Sequence, residues 1–353
     1  MSRATGVAER IAALGFGEAA APIELEDSDE MVAVLRAERI LGVAVSGVQG
    51  GQIIGSADAL GAIGVAHDEV MRQSMRIEIE ALNVASVLSD AGVEHRFLKG
   101  TALAHVLYDD PAERSFRDVD VLVHGSDIDR AVAELTLLGA TRARPQLRDG
   151  YDARFGKSVT LRRDGVEIDL HRVLSPGPFG VWSNPRELFL LRRSFHVAGH
   201  ELSTLDSTDH LVHACYHVAL GQVTPVLANL RDIVLLATLT SDPVDFDRFN
   251  ETVDRWRGGA VIKRAVRLVD GRLDIELPDA LASYRNKPVP REELEMITPY
   301  LSDDPGGRFA ALAPSTLKAL PMSDRAGFAL AVGLPDGTNP RDRARDLLKR
   351  AKR

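Results

Sequence analysis

The sequence predicts an α+β protein: a small mixed β-sheet core flanked by N-terminal and C-terminal helical segments. Three observations carry that prediction. Segments with strand patterning fall between residues 94 and 170, where apolar side chains alternate with polar ones. On both sides of that stretch, apolar residues recur at helical spacing. The 353 residues are 45% hydrophobic but only 5% aromatic, so the core must be Ala, Val, Leu and Ile, which suits helices and α/β layers. The chain is too long for one ordinary compact domain. Its patterning divides it into an N-terminal helical region (1–75), the α+β core (76–205) and a C-terminal helical domain (206–353).

The N-terminal region is Ala-rich, with a loop over Ala20–Ser28 and Ser28 placed to cap a helix through Met31, Val32, Val34 and Leu35. Gly42–Gly64 reads as short helices and turns. A longer helix is predicted over Asp68–Ala91, from Met71, Met75, Ile77, Ala81, Val84 and Leu88, and Gly92 ends it. Glu94–Leu98 reads as a strand entering a turn at Lys99-Gly100, followed by a short helix over Thr101–Leu107. Asp109-Asp110-Pro111 is a turn. Val119–Val123 is a strand, and Ser126 is placed to cap a helix over Ile128–Leu138 closed by Gly139. Ser158–Arg162 and Val166–Leu170 form two strands, joined by a hairpin turn whose tightest part is Asp164-Gly165. Helical periodicity returns over Thr208–Gly221, Val226–Leu239, Asp245–Trp256 and Ala260–Val269. Pro278, Pro288, Pro290, Pro299, Pro305 and Pro314 are expected to break the remainder, and Pro340–Arg353 to form a surface helix.

The net charge of −8 gives no global attraction to nucleic acid or anionic lipid. Charge is uneven: Glu24–Glu30 is acidic and Arg341–Arg353 is dense in Arg and Lys. One cysteine, Cys215, excludes an intrachain disulfide and fits a reducing compartment. Glu9 and Arg10 interrupt what would be a signal peptide. Gln49, Gln52 and Asp58 interrupt the apolar, Gly-rich Ile40–Ala66, so no membrane span is expected and the protein reads as cytoplasmic.

The chemistry-bearing feature is a set of carboxylates. Asp118 and Asp120 stand at i, i+2 at a strand start, so their side chains share one face. Asp169 lies on a second strand, facing away from Ile168 and Leu170. Adjacent carboxylates repel, and a divalent cation with oxygen ligands such as Mg²⁺ relieves that repulsion. A third carboxylate can add a ligand or take a proton from an attacking hydroxyl. Lys99-Gly100-Thr101 precedes a helix: Gly100 permits close backbone approach, Lys99 brings positive charge and Thr101 a hydroxyl. Arg114, Arg117 and Lys157 are further cations placed to meet phosphate or to balance the acids, and His171 stands two residues after Asp169.

In combination these runs resemble a known family. KGTAL from Lys99, LYDDPAERSFRDVDVLV from Leu107 to Val123 and VEIDLH from Val166 to His171 are similar to an uncharacterised bacterial nucleotidyltransferase family of the DNA polymerase β-like superfamily. The resemblance extends to His213 and Leu230-Arg231-Asp232, and so covers about residues 70–240. It implies a small mixed sheet with a helical wall across a cleft. It implies Mg²⁺- or Mn²⁺-dependent transfer of a nucleoside monophosphate from a nucleoside triphosphate to a hydroxyl or phosphate acceptor. Asp118, Asp120 and Asp169 would be catalytic residues and metal ligands. Lys99, Gly100, Thr101, Arg114 and Lys157 would line the nucleotide. Many superfamily members carry Gly-Ser at the turn; here it is Lys99-Gly100-Thr101. The acceptor stays open among a small molecule, a protein and a tRNA end, and the oligomeric state is unread. The alternatives are an inactive nucleotide-binding or scaffold member, or a toxin-type transferase modifying tRNA or protein.

Two further features lie in the C-terminal helical segment. His210, His213 and His217 share a helix face, which reads as a helix lining the cleft or packing on the sheet rather than a zinc site. Arg231-Asp232 reads as a buried ion pair inside an apolar helix, fixing it against the sheet or reaching the nucleotide.

Overall fold

The computed structural model describes residues 2–16, 21–25, 29–221, 223–239, 241–302 and 304–333. The first segment holds α1 (Arg3–Ala12), β1 (Ile23–Leu25), α2 (Asp29–Ala37), α3 (Leu41–Gln49), β2 (Ile53–Gly55) and α4 (Ala57–Asp90). The middle holds β3 (His95–Leu98), α5 (Lys99–Leu107), β4 (Asp118–Val123), α6 (Ile128–Leu137), β5 (Thr141–Arg142), α7 (Tyr151–Arg154), β6 (Ser158–Arg163), β7 (Val166–His171), α8 (Pro178–Trp182), β8 (Arg193–Val197) and β9 (His200–Thr204). The rest is helical: α9 (Ser207–Gly221), α10 (Leu227–Thr238), α11 (Phe246–Arg255), α12 (Gly259–Asp270), α13 (Asp279–Ala282), α14 (Arg291–Ile297), α15 (Pro305–Ala319) and α16 (Met322–Gly333). The α+β class and mixed sheet are as predicted.

The sheet is larger than the sequence suggests. It has seven strands in the order β5-β6-β7-β4-β3-β9-β8, with β4 and β7 parallel and β6 and β7 antiparallel. The additions are β5 and the hairpin β8–β9, whose turn at Ala198-Gly199 has φ of 48° and 82°. A non-glycine residue at positive φ is uncommon, so Ala-Gly gave no hairpin signal. At Asp164-Gly165 the two φ values are 50° and 80°, and the predicted hairpin forms there.

Helix α4 runs 34 residues, starting eleven before its predicted position. Gly61 and Gly64 look like breakers, but nothing lies within 4 Å of where their Cβ atoms would be. The buried Ile63 and Ala66 anchor this turn of helix, and Ser56 caps it by accepting from Ala59 N–H at 3.1 Å. Burial thus outweighs the roughly 1 kcal/mol that each helical glycine costs. Ser126 does not cap α6; the cap position is Asp127, without a side-chain capping bond. Pro314 lies inside α15 rather than ending it. The cap assigned to Ser28 and the helix assigned to Pro340–Arg353 fall outside the described residues.

Strand alternation divides the sheet into two faces. Val119, Val121, Val123, Ile168, Leu170 and Leu161 pack with Ile77, Ala81 and Val84 of α4 and Leu135 of α6 in one apolar cluster. The opposite face carries Asp118, Asp120 and Leu122 of β4 beside Glu167, Asp169 and His171 of β7. This face meets a second apolar cluster, in which Ile11, Leu35 and Leu41 from the N-terminal segment pack with Leu211, Leu230, Val261 and Leu281 from the C-terminal helices.

One buried ion pair fastens that helical body to the sheet. Arg114, in the β3–β4 connection, donates through Nε and Nη2 to Asp232 of α10, and Nη2 reaches Asn229 Oδ1 at 2.9 Å. Tyr108 OH donates to the same carboxylate at 2.9 Å. Only 2% of each partner, Arg114 and Asp232, is exposed. The expected Arg231–Asp232 pairing is corrected by this geometry. Neighbours on a helix point about 100° apart, and Arg231 turns the other way, donating to Ala12 O and Leu14 O and stacking on Phe16. Breaking a buried pair from one side leaves an uncompensated charge costing about 3–5 kcal/mol. Arg114→Ala is therefore expected to lower urea-unfolding stability by that order. Arg114→Met with Asp232→Leu should recover most of the loss; a double variant as unstable as the single one would show that the pair is not the cause.

Candidate functional site

The β4–β7 register sets Asp120 directly opposite Asp169, and the β6–β7 register sets Thr160 opposite Asp169. One row across the sheet therefore reads Asp120, Asp169, Thr160, with Asp118 two positions along β4. Thr160 Oγ1 donates to Asp169 Oδ1 at 2.5 Å. Asp120 is 4% exposed and is held by two groups. Lys99 Nζ lies 2.6 Å and His171 Nε2 lies 2.8 Å from its Oδ1. Burial alone would disfavour the charged form of Asp120, but Lys99 and His171 hold it well below the usual carboxylate range. In return, and against its own burial, Lys99 is held above its usual value by Asp120 and Asp118.

Asp118 has no such partner. Burial, and then the neighbouring charge of Asp120, pushes it up to about 6. Repulsion within the carboxylate set is only partly relieved by the protein's own cations. Asp120, Asp169 and His171 each offer a ligand atom within 4.8 Å of the others, an arrangement able to hold a metal ion. The buried His171 Nδ1 has no partner. Two hard carboxylate oxygens, an adjacent under-neutralised carboxylate and an imidazole nitrogen fit a divalent cation.

The predicted phosphate-side residues divide. Lys99 reaches the carboxylates. Lys157 carries no ion pair among the described residues; burial and then the charge of Lys99 lower its pKa, while Asp120, Asp169 and Asp118 act in the opposite sense. Gly100 serves packing: a Cβ there would sit 2.4 Å from Phe116 Cβ. Thr101 is buried with its hydroxyl unpartnered. Arg114 is not brought to the cluster's open side, since every guanidinium nitrogen already has an acceptor in Asp232, Asn229 or Ser115 O. Arg117 is exposed at the strand start.

One contribution was not readable as a site residue. Arg39 follows α2 at φ 59°, with its Nε buried and unpartnered. Burial, then repulsion from Arg114 and Arg117, lowers its pKa, while Asp118 and Asp120 act in the opposite sense. No motif surrounds it, so only the fold brings it here. His213 and His217 on α9 join Lys99, Arg114, Asn229 and Asp232 around a small cavity, with His217 bonded to Asn229 at 3.2 Å. Burial first and Lys99 second hold both imidazoles well below the usual histidine range. They close the cleft wall together with His210, whose Nε2 bonds Thr204 Oγ1 at 2.7 Å. Among the described residues no helix is long and apolar enough to cross a membrane.

The raised pKa of Asp118 has a stability consequence. A carboxyl whose folded value exceeds its unfolded one favours folding fully below about 3.8, and that contribution is lost as pH rises through about 6. In metal-free protein, Asp118→Asn should be no more stable than the parent at pH 4 and more stable at pH 8, by up to about 3 kcal/mol. Thermal melts at the two pH values with EDTA present measure this. A difference that does not change with pH would refute the raised value of Asp118.

Comparison with known proteins adds a family. A sequence model described as an uncharacterised nucleotidyltransferase matches residues 24–274. No curated protein matches the chain. Among solved structures, an antigenic nucleotidyltransferase-like protein from Paracoccidioides brasiliensis is similar at 16% identity and a TM-score of 0.34, over 61% of this chain and 96% of that one.

Proposed function

The chain belongs to this family of uncharacterised nucleotidyltransferases, and from that premise we propose that it transfers a nucleoside monophosphate from a nucleoside triphosphate to an acceptor hydroxyl or phosphate. The observation that carries the reading is the single polar row that sets Asp120 against Asp169 with Asp118 beside them, rimmed by Lys99, Lys157 and Arg39. Acids alone could be a surface patch. Acids in a partly buried row with Lys99, Lys157 and Arg39 around them suit a phosphate chain and its counterion.

Asp120, Asp169 and Asp118 would hold Mg²⁺ or Mn²⁺, with His171 behind Asp120. The ion, when bound, would supply charge neutralisation for an in-line displacement at phosphorus. The residues do the rest. His171 fixes the orientation of Asp120, and Thr160 that of Asp169, so neither carboxylate needs to reorganise. Lys99 and Arg39 are placed to neutralise the phosphates, and Lys99 would exchange its contact with Asp120 for one with the donor. The acceptor oxygen forms a new bond to the α-phosphorus, and the bond to the pyrophosphate breaks with its electron pair. The acceptor proton passes to a carboxylate of the row. The helical wall with His213 and His217 excludes water from one side.

The test is to incubate the pure protein with each α-labelled nucleoside triphosphate, Mg²⁺ and cell extract. Label should move to an acceptor with at least one nucleotide. Asp118→Ala plus Asp120→Ala should reduce transfer at least 100-fold, in the range that removing positioned electrostatic groups gives (about 10²–10³). Transfer that survives the double substitution would overturn the assignment. Tight nucleotide binding with no transfer would favour an inactive nucleotide-binding member.

A further inference from the structure

A cavity of about 620 Å³ opens beside the carboxylate row, toward the sheet edge formed by β5 and β6. Its floor includes Ser158, Thr160, Arg162 and Glu167, which lie on the same sheet face as Asp118, Asp120 and Asp169. Thr160 touches both, lining the cavity and donating to Asp169. Lys157 also lines the cavity while its charge interacts with all three acids.

The far wall is C-terminal. Leu312 and Thr316 of α15 and Phe328 of α16 close it, and they lie beyond residue 274, where the family match ends. Helix α16 is clamped onto α7 by an edge-to-face contact of Phe155 with Phe328, with centroids 5.6 Å apart, and by an Arg154–Asp324 ion pair at 2.7 Å. The enclosure is therefore built onto the family core by this chain's own C-terminal helices.

The lining fixes the ligand's chemistry. Arg142 is paired with Asp152 at 2.7 Å and Arg162 with Glu167 at 2.5 Å. That leaves Arg144 at the mouth and Lys157 at the carboxylate end without a paired carboxylate among the described residues. Leu147, Tyr151, Phe155, Leu312 and Phe328 supply apolar surface. The volume falls within the roughly 300–1,000 Å³ of small-molecule sites. We propose that this cavity is the acceptor pocket, and that the acceptor is a small molecule with an anionic group and an apolar body. Naming the ligand an acceptor rests on the transferase reading above; its size and charge class rest on the cavity alone. The anionic group meets Arg144 and Lys157, the apolar body packs on Phe155 and Phe328, and the reacting oxygen enters past Thr160 toward the carboxylates.

The probe is phenyl phosphate, with benzyl alcohol as the uncharged control, titrated calorimetrically into the full chain. Phenyl phosphate should bind at one site and benzyl alcohol should not. Arg144→Ala and Phe328→Ala should each weaken phenyl phosphate about tenfold, the effect of losing one charge-assisted or buried aromatic contact, with thermal melting confirming that each variant folds. Because Arg144 is exposed, its variant tests the pocket even if Phe328→Ala loosens α16. Binding should persist in Mg²⁺ and saturating α,β-methylene nucleoside triphosphate. Displacement by that nucleotide would overturn the assignment, making the cavity the donor's own pocket. So would affinities that both substitutions leave unchanged. In the transfer assay, a labelled product chromatographically distinct from the nucleotide should pass a 3 kDa filter; transferred label found only in the macromolecular fraction would replace the small acceptor with an RNA or protein. If the nucleotide analogue fails to bind while phenyl phosphate does, the transferase reading fails and the anionic pocket stands.

Discussion

The organising constraint is electrostatic. Asp118, Asp120 and Asp169 are held side by side on a sheet face that is largely covered by helices, and like charges in such a place cannot all stay ionised without cations. Much of the surrounding structure answers that constraint. Lys99 is forced to φ 49° at the β3–α5 junction, where a non-glycine residue is uncommon, and its ammonium meets Asp120. His171, Thr160, Lys157 and Arg39 arrive from three other parts of the chain. The incomplete balance at Asp118 is the residue of this constraint and the reason the site fits a further cation.

Covering that face requires a separate device. The polar row gives the helical body little apolar surface to pack against near the acids. Arg114 and Asp232 supply a directional anchor instead, with Tyr108 and Asn229 satisfying the remaining lone pairs and donors. Around that anchor the N-terminal and C-terminal segments share one apolar cluster, reinforced by Arg272 bridging Glu9 and Glu38 and by Glu38 accepting from Leu227 N–H. Arg39 therefore reaches the site because its segment is built into the same body as α10.

The sequence made some of this legible and hid the rest for physical reasons. The i, i+2 spacing of Asp118 and Asp120, the Asp164-Gly165 turn and the two flanking strands were local signals, and strands and turn lie where they were expected. That hairpin turn also fixes Thr160 opposite Asp169, a pairing available from the two-residue loop alone. Arg39 and the pairing of Arg114 with Asp232 were not available, because contacts across 118 positions of chain leave no periodic trace. Gly100 looked like a phosphate contact because glycine before a helix has two uses, and the sequence could not reveal that Phe116 fills the space. The hairpin β8–β9 was missed because its turn uses alanine at positive φ.

The charges around the row also bear on the order of binding. Three carboxylates face the three cations Lys99, Lys157 and Arg39, so the cluster by itself attracts an anion weakly. Lys99 is also committed to Asp120 at 2.6 Å, which leaves its ammonium less free to meet an anion. A divalent cation on the carboxylates would change both terms together. It would turn the cluster net positive and compete with Lys99 for Asp120, freeing the ammonium toward phosphate. Cation and nucleotide should therefore favour each other's binding, and by linkage the coupling must be equal in both directions. On the transferase reading proposed above, a lysine at this turn would make the phosphate grip conditional on the acids being neutralised, because its charge serves the carboxylates until another charge takes its place.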